Sequence, residues 1–164
     1  MHETSTHERD GILVPAGPAD LADLLPLMRE YAAFDELAFD ERRAGEAMRG
    51  LLADERCGRV AFVQENGRRC GYVALCYGYS IELGGRDAFV DELYILAEFR
   101  NRGLGTRALE AACALARADG VVAIHLEVRR DNVAAQRYYA RCGFRARDRY
   151  DLLSRSLQPS DPAG

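Results

Sequence analysis

The pair Asn66-Gly67 constrains the fold most, because it lies between two runs of strand-forming residues, 59–65 and 69–79. Both residues tolerate the positive φ angles of a two-residue turn, and Asn-Gly between such runs is the strongest short hairpin signal. A second turn at 84–86 leads into a third apolar run at 88–96. The sequence therefore predicts three successive antiparallel strands at the centre of a sheet.

Helical and strand patterns on either side of these strands complete the predicted architecture. Apolar spacing predicts a short strand at 12–14, two helices near 18–32 and 40–53, and, after the third central strand, a helix ending at Gly120, a strand at 121–128, a helix at 132–142 and a last strand pair from Phe144. The order is β-α-α-β-β-β-α-β-α-β-β. We expect an α/β fold with a mixed, mostly antiparallel central sheet, about four flanking helices and one right-handed strand–helix–strand crossover.

The chain of 164 residues is long enough for one domain, and its composition, 48% hydrophobic and 29% charged, is that of a soluble globular protein. We expect a folded unit at 12–157 and flexible termini at 1–11 and 158–164, which are rich in polar residues, Pro and Gly. No apolar run approaches the length that spans a bilayer, and the first ten residues are too polar for a signal peptide. The prediction is a cytoplasmic protein with no membrane partner.

Charge and side-chain chemistry exclude several classes of function. A formal charge of −4 and a pI near 5.4 disfavour a protein that binds nucleic acid. Five cysteines, odd in number and without C-x-x-C spacing, predict reduced core thiols. Three scattered histidines give no reason to expect a metal site.

The segment from Arg100 to Thr106, Arg-Asn-Arg-Gly-Leu-Gly-Thr, follows a predicted strand and begins a helix. The first amides of a helix have no partners within it and lie at the positive end of its dipole, so this turn suits a pyrophosphate. Gly103 and Gly105 allow a ligand close to the backbone. An ordinary tight turn is the alternative reading. Ala108 breaks the dinucleotide fingerprint, and the Lys of a P-loop is missing.

Two blocks of sequence resemble the GNAT superfamily of N-acetyltransferases. Residues 100–105 match its cofactor motif, Arg/Gln-x-x-Gly-x-Gly/Ala, and residues 91–99 resemble the strand that leads into it. Residues 132–144 resemble its second pattern, Asn-x-x-Ala-x-x-x-Tyr-x-x-x-Gly-Phe. The resemblance covers nearly the whole predicted domain and is weakest over the first two helices.

The resemblance implies an enzyme that moves an acetyl group from acetyl-CoA to an amine by direct attack in a ternary complex. Asp91 or Glu92 would accept the amine proton, and Tyr139 would protonate the leaving thiolate. The backbone of the fourth strand would stabilise the oxyanion. The residues implied for binding the co-substrate are Leu93, Tyr94, Ile95, Arg100, Asn101, Arg102, Gly103, Leu104, Gly105, Thr106 and Asn132.

Several alternatives stay open at this point. Asp91 and Glu92 alternate along a strand and would point to opposite faces, so they cannot both be the base, and the sequence does not choose between them. Without the motif, Tyr139 would be read as a core residue. Tyr138 stands where the family usually has Leu, and we expect it to pack or to form an acceptor-side wall.

The identity of the acceptor amine is also open. Glu36, Asp40, Glu82, Asp91 and Glu92 make the chain similar to the spermidine/spermine (diamine) acetyltransferase branch, which implies a small amine or a polyamine. A protein or peptide amine is a second option. A non-catalytic CoA-binding sensor is a third, although it would not need Tyr139 or the carboxylates. Many GNAT proteins are homodimers, so the resemblance allows a second copy of the chain as a partner.

Overall fold

The computed structural model describes residues 11–157, which form one five-stranded sheet with helices on both faces. The predicted termini lie outside the described residues, except for Gly11. The strands are β1 (Leu13–Pro15), β2 (Gly58–Glu65), β3 (Arg68–Ser80), β4 (Gly85–Ile95) and β5 (Ala123–His125). The helices are α1 (Leu21–Phe34), α2 (Glu41–Ala53), α3 (Leu104–Ala118) and α4 (Val133–Arg141).

The sheet follows the order β1-β2-β3-β4-β5 and is mixed, as predicted. Asn66 and Gly67 form the turn between β2 and β3, both with positive φ, 49° and 75°, which confirms the predicted hairpin. The first four strands pair antiparallel, whereas β4 and β5 pair parallel and are connected through α3. The fold is thus the predicted α/β arrangement with one strand–helix–strand crossover.

Alternation along the strands divides the core into two layers. Phe62 and Tyr72 pack with Leu24 and Met28 on the face covered by α1 and α2. Their neighbours on the strands, such as Val73, pack on the opposite face against α3 and α4. Because every central strand is buried on both sides, any polar side chain in it needs a partner inside the protein.

A β-bulge interrupts β4 at Asp91. Leu75 pairs with Val90 and Ala74 pairs with Glu92, so Asp91 is an extra residue without a partner on β3. Val90 packs on the α3 face, and Glu92 lies across from Ala74 on the face of α1 and α2. The bulge therefore changes which carboxylate faces which layer.

The parallel ladder between β4 and β5 is short and ends where Phe89 meets His125. The predicted strand at 121–128 is accordingly only Ala123–His125. No strand is assigned within residues 144–157, so the predicted last strand pair is wrong for the described part of the chain. A strand needs a neighbour for its backbone groups, and a three-residue β5 offers few.

Other predictions from composition receive a mixed outcome. All five cysteines are free, but Cys70 alone is buried and Cys57 is exposed, so the prediction of five core thiols is wrong in part. Cys57 lies in the turn before β2, where no apolar layer covers it. Across residues 11–157 no helix is long and apolar enough to cross a membrane. The same residues contain no group of three or more candidate metal ligands.

Candidate active site

The first turn of α3 presents unpaired backbone amides. Gly103 caps the helix in the left-handed conformation, φ 72°, and Asn101 before it has φ 61°. The first amide to bond back along the helix is that of Arg107, which donates to the Gly103 carbonyl at 3.1 Å. The preceding amides, from Leu104 to Thr106, have no recorded acceptor within the described residues. Such a helix start binds phosphate groups well.

Arg100 braces this turn from the side of the sheet. Its Nε donates to the Ile95 carbonyl at 2.8 Å, and its guanidinium lies over the rings of Phe34 (4.2 Å) and Tyr94 (5.2 Å). These contacts join the end of β4 to the end of α1. Arg100, predicted as a binding residue, therefore has a structural role that fixes the position of the turn.

The exposed edge of β4 begins where the ladder to β5 stops. Beyond Phe89, β4 continues to pair with β3 as far as Ile95, but no residue of β5 pairs with it. Leu93, Tyr94 and Ile95 all lie in this stretch. The backbone groups there that point away from β3 have no strand partner within residues 11–157, although the Ile95 carbonyl accepts from Arg100, and unpaired amides of this kind can serve as an oxyanion site.

Glu92 is held by a hydrogen bond from the hydroxyl of Tyr72 to its Oε2, at 2.7 Å. Burial and the nearby charge of Asp91 raise the pKa of Glu92, and the Tyr72 hydrogen bond lowers it. Asp91 on the bulge is exposed, although its surroundings are desolvated enough to raise its pKa. The structure thus gives Glu92, and not Asp91, a fixed partner.

Tyr31 of α1 lies close enough to both carboxylates for their charges to affect its pKa. Burial raises the pKa of Tyr31 to about 12, with further contributions from Asp35, Glu92, Asp91 and, least, Tyr139. The pKa of Tyr31 therefore depends on groups from β4, from α4 and from the end of α1. Tyr31 and Tyr72 were missed as site residues by sequence reasoning, because each falls on the apolar pattern of its own element.

The two adjacent tyrosines of α4 occupy different surroundings. Tyr139 is partly buried, its ring lies 5.9 Å from that of Phe144, and burial, Cys142 and Asp35 raise its pKa. The Tyr138 hydroxyl lies near the first turn of α3, 4.0 Å from where a Cβ on Gly105 would sit. The side chain of Tyr138 is thus directed towards the first turn of α3.

The Tyr138 hydroxyl oxygen is buried and has no hydrogen-bond partner among the described residues. Burial raises its pKa, and the nearby side chains of Thr106 and Cys142 affect it without reaching hydrogen-bonding geometry. A buried hydroxyl without a partner is rare in proteins, and a missing ligand is one explanation for it.

Asn132 caps α4, with its Oδ1 accepting the amide of Ala135 at 3.0 Å. This contact uses the oxygen of the side chain and leaves its amide group for another partner. The residue predicted to contact the co-substrate is therefore also the residue that starts the helix carrying both tyrosines.

Three of the five carboxylates that make the chain similar to the diamine acetyltransferase branch have local partners in the structure. Asp40 caps α2, Glu36 pairs with Arg129 at 3.3 Å and Glu82 pairs with Arg147 at 2.9 Å. Each of these three carboxylates therefore has a capping or ion-pairing role of its own. Asp91 and Glu92 remain, without an ion pair in the described part of the chain.

Comparison with known proteins identifies the family of the chain. The sequence model of the acetyltransferase (GNAT) family matches residues 22–144. Because the match covers most of the chain, the protein belongs to the GNAT family of acetyltransferases, which are acyltransferases.

Individual relatives are distant. An uncharacterized N-acetyltransferase of Methanocaldococcus jannaschii is 29% identical over 133 residues, 79% of this chain but only 58% of that protein. Thialysine N-epsilon-acetyltransferase of Mus musculus is 25% identical over 122 residues, covering 69% of this chain and 71% of that protein. The crystal structure of an integron cassette protein from the Cole Harbour Salt Marsh metagenome superposes with a TM-score of 0.78 at 29% identity, covering 90% of this chain and 91% of that one.

Proposed function

We propose that this protein transfers the acetyl group of acetyl-CoA to a primary amine, by direct attack of the amine on the thioester in a ternary complex. One observation carries the proposal: the stretch of β4 without a β5 partner lies between an unpaired helix start and a partly buried carboxylate held by a tyrosine. The first feature suits a pyrophosphate, and the second suits removal of a proton.

The residues present fit acetyl-CoA. The amides from Leu104 to Thr106 would hold its pyrophosphate, with Gly103 shaping the turn. The buried Tyr138 hydroxyl lacks a partner and would gain one from the bound molecule. The backbone of β4 from Leu93 to Ile95 would stabilise the oxyanion that forms when the amine attacks.

Glu92 is the proposed base. The acceptor amine, with an ordinary pKa near ~10, must lose a proton to attack. Desolvation raises the pKa of Glu92, which makes it a better proton acceptor, while the Tyr72 hydrogen bond acts in the opposite direction and favours the charged form. Asp91 sits on the bulge beside it and would add negative charge that favours a cationic acceptor. Tyr139 is the proposed acid for the leaving thiolate.

A small amine, which includes a diamine or polyamine, is the proposed class of acceptor. The pair Asp91 and Glu92 would attract one ammonium group, and Asp35 lies near enough to Tyr31 and Tyr139 to attract a second. The similarity to a mouse enzyme named for acetylating the ε-amine of thialysine supports an amine on a flexible chain.

The experiment is a panel of primary amines incubated with acetyl-CoA, in which the released thiol is followed. The panel contains a monoamine, a diamine, a polyamine, a thialysine-like amino acid and a lysine peptide. Thiol release that depends on the amine is expected, and E92Q should lower kcat/KM about a hundredfold or more. E82Q is the matched control, because it removes the same charge at the β3–β4 turn and should keep activity.

Three outcomes would contradict the proposal or one of its parts. Stabilisation by acetyl-CoA without turnover of any amine would indicate a non-catalytic CoA-binding module. Turnover of the peptide alone would replace the small amine with a protein acceptor. Equal activity of E92Q and E82Q would remove Glu92 as the base.

A further inference from the structure

We propose that Tyr72 is a positioning residue for Glu92. Its buried hydroxyl holds the Glu92 carboxylate in place and favours the charged form, which takes the proton from the acceptor amine. The inference rests on the proposed function, since it concerns how the base of that reaction is prepared. It adds a residue in the middle of β3 that belongs to neither sequence motif.

The geometry begins with the burial of Tyr72. Its side chain is 0% exposed and packs with Leu24, Phe62 and Tyr94 between the sheet and the first two helices. A buried phenol must place its hydroxyl against a partner. That partner is Glu92 Oε2, at 2.7 Å, an ordinary length for a hydrogen bond from a hydroxyl.

The β-bulge determines which carboxylate receives this bond. In an unbroken ladder, the residue across from Ala74 would be Asp91, and Glu92 would face α3. The extra residue moves Glu92 across from Ala74 instead, onto the face of Tyr72. Since Tyr72 pairs with Tyr94, two positions further along β4, the Glu92 side chain lies diagonally within reach of the Tyr72 hydroxyl.

The direction of the hydrogen bond is fixed by the same burial. Desolvation and the charge of Glu92 raise the pKa of Tyr72 far above its usual value, so the phenol keeps its proton and acts as donor. The Tyr72 hydroxyl donates its hydrogen bond to Oε2 of Glu92. No hydrogen bond to Oε1 is recorded within residues 11–157, which leaves that oxygen for the incoming proton.

No other titratable group near Glu92 favours its charged form. Each of them either raises the pKa of Glu92 or is itself uncharged. Asp91 beside it raises its pKa, and burial does the same. Tyr31 from α1 and Cys76 from β3 have raised pKa values, to about 12 and about 11, and stay protonated. Tyr139 from α4 lies near Tyr31 and also has a raised pKa. Tyr72 is therefore the contact that favours the charged carboxylate.

Y72F tests the proposal, with Y77F as its matched control. Tyr77 lies on the same strand and also donates to a carboxylate at 2.7 Å, but that carboxylate is Asp119 at the far end of α3. At acid pH, kcat/KM of Y72F should be about tenfold below wild type, the value of one charge-assisted hydrogen bond. The ratio should approach one at alkaline pH, where Glu92 is ionised in both proteins. Y77F should show a ratio that does not change with pH.

A carbon-13 NMR titration of the Glu side-chain carboxyls, with Glu92 assigned through E92Q, gives a readout that needs no turnover. Glu92 should titrate at higher pH in Y72F than in wild type and at the same pH in Y77F. In the E92Q background, Y72F should no longer cause any pH-dependent loss of activity. If Y72F does not fold, Y72M fills a similar volume without a hydroxyl and takes its place.

The outcomes separate this inference from the proposed function. An unchanged Glu92 titration, together with a pH-independent loss in Y72F, would mean that Tyr72 is only a core residue, and the proposal would be overturned. A shifted titration in a protein that acetylates no amine would keep the Tyr72–Glu92 relationship and refute the proposed reaction.

Discussion

Arg59 of β2 and Asp119 after α3 form a two-point ion pair, in which Nε and Nη2 of the guanidinium donate to the two carboxylate oxygens at 2.7 and 3.1 Å. Tyr77 of β3 donates to the same carboxylate. The side chains are 28% and 19% exposed, so solvent screens the contact only in part. One carboxylate thus connects the end of α3 to two strands of the sheet.

D119A should lower the free energy of unfolding by about 2–3 kcal/mol near neutral pH, because it removes the partner of the Tyr77 phenol and the more buried of the two carboxylates that pair with Arg59, the other being Glu55. D54A is the control. Asp54 also pairs with an arginine, Arg56, but at an exposed position, and its removal should change little. Urea unfolding measures both. A D119A value equal to that of D54A would show that the pair contributes nothing.

The same contact predicts a pH dependence. The hydrogen bond from Arg59 is the main cause of a lowered Asp119 pKa in the folded protein. Its contribution is therefore complete above the ordinary aspartate pKa of about 4 and is lost as the pH falls through the lowered value. The stability difference between wild type and D119A should shrink when unfolding is measured near pH 3 instead of pH 7. A difference that grows on acidification would contradict this account.

Gly103 should resist substitution because of its backbone conformation. No atom lies within 4 Å of an added Cβ, but φ of 72° is strained for any residue with a side chain. G103A should cost about 1 kcal/mol and weaken binding of acetyl-CoA, since it distorts the first turn of α3.

Gly50, in α2, supplies the comparison for Gly103. It too has open space around an added Cβ, but its φ is not positive, so G50A should stabilise the helix by about 0.5–1 kcal/mol. Thermal unfolding with and without acetyl-CoA distinguishes the two. Matching effects of G103A and G50A would show that the conformation of Gly103 has no special role.

The neighbouring tyrosines of α4 should respond differently to loss of the hydroxyl. Y139F should lower kcat about a hundredfold and leave the dissociation constant for acetyl-CoA nearly unchanged, as expected of a proton donor. Y138F should keep kcat but weaken acetyl-CoA binding several-fold, because it removes a hydroxyl that the bound molecule would satisfy. Steady-state kinetics and calorimetry provide the two readouts. If Y138F lowers kcat and Y139F weakens acetyl-CoA binding instead, the roles of the two tyrosines are exchanged.

Local signals were sufficient for most of the architecture. Asn66-Gly67 predicted its hairpin, since the positive φ angles that the turn needs are a property of those two residues. Gly103 and Gly105 likewise marked the start of α3. In both cases the information lies within a few neighbouring residues.

Long-range relationships could not be predicted in the same way. The sequence did not choose between Asp91 and Glu92, because which of them lies on the face of Tyr72 depends on a bulge, and so on how Leu75 and Ala74 of another strand pair with β4. Tyr72 lies 20 residues before its partner and reads as an ordinary strand residue. The last strand pair was expected from the local pattern that follows Gly143, and the short β5 leaves its backbone little to pair with.

The open edge of β4 beyond Phe89 has a consequence for how this protein can change over time. The groups it exposes belong to the main chain, which every residue type carries, so substitution of a side chain there does not delete them. In the proposed reaction, a side chain such as that of Leu93 could therefore be exchanged to suit a different amine, with Glu92 kept as the base, while the backbone would keep its contact with the reacting carbonyl. Divergence in acceptor choice need not begin with a loss of the chemistry.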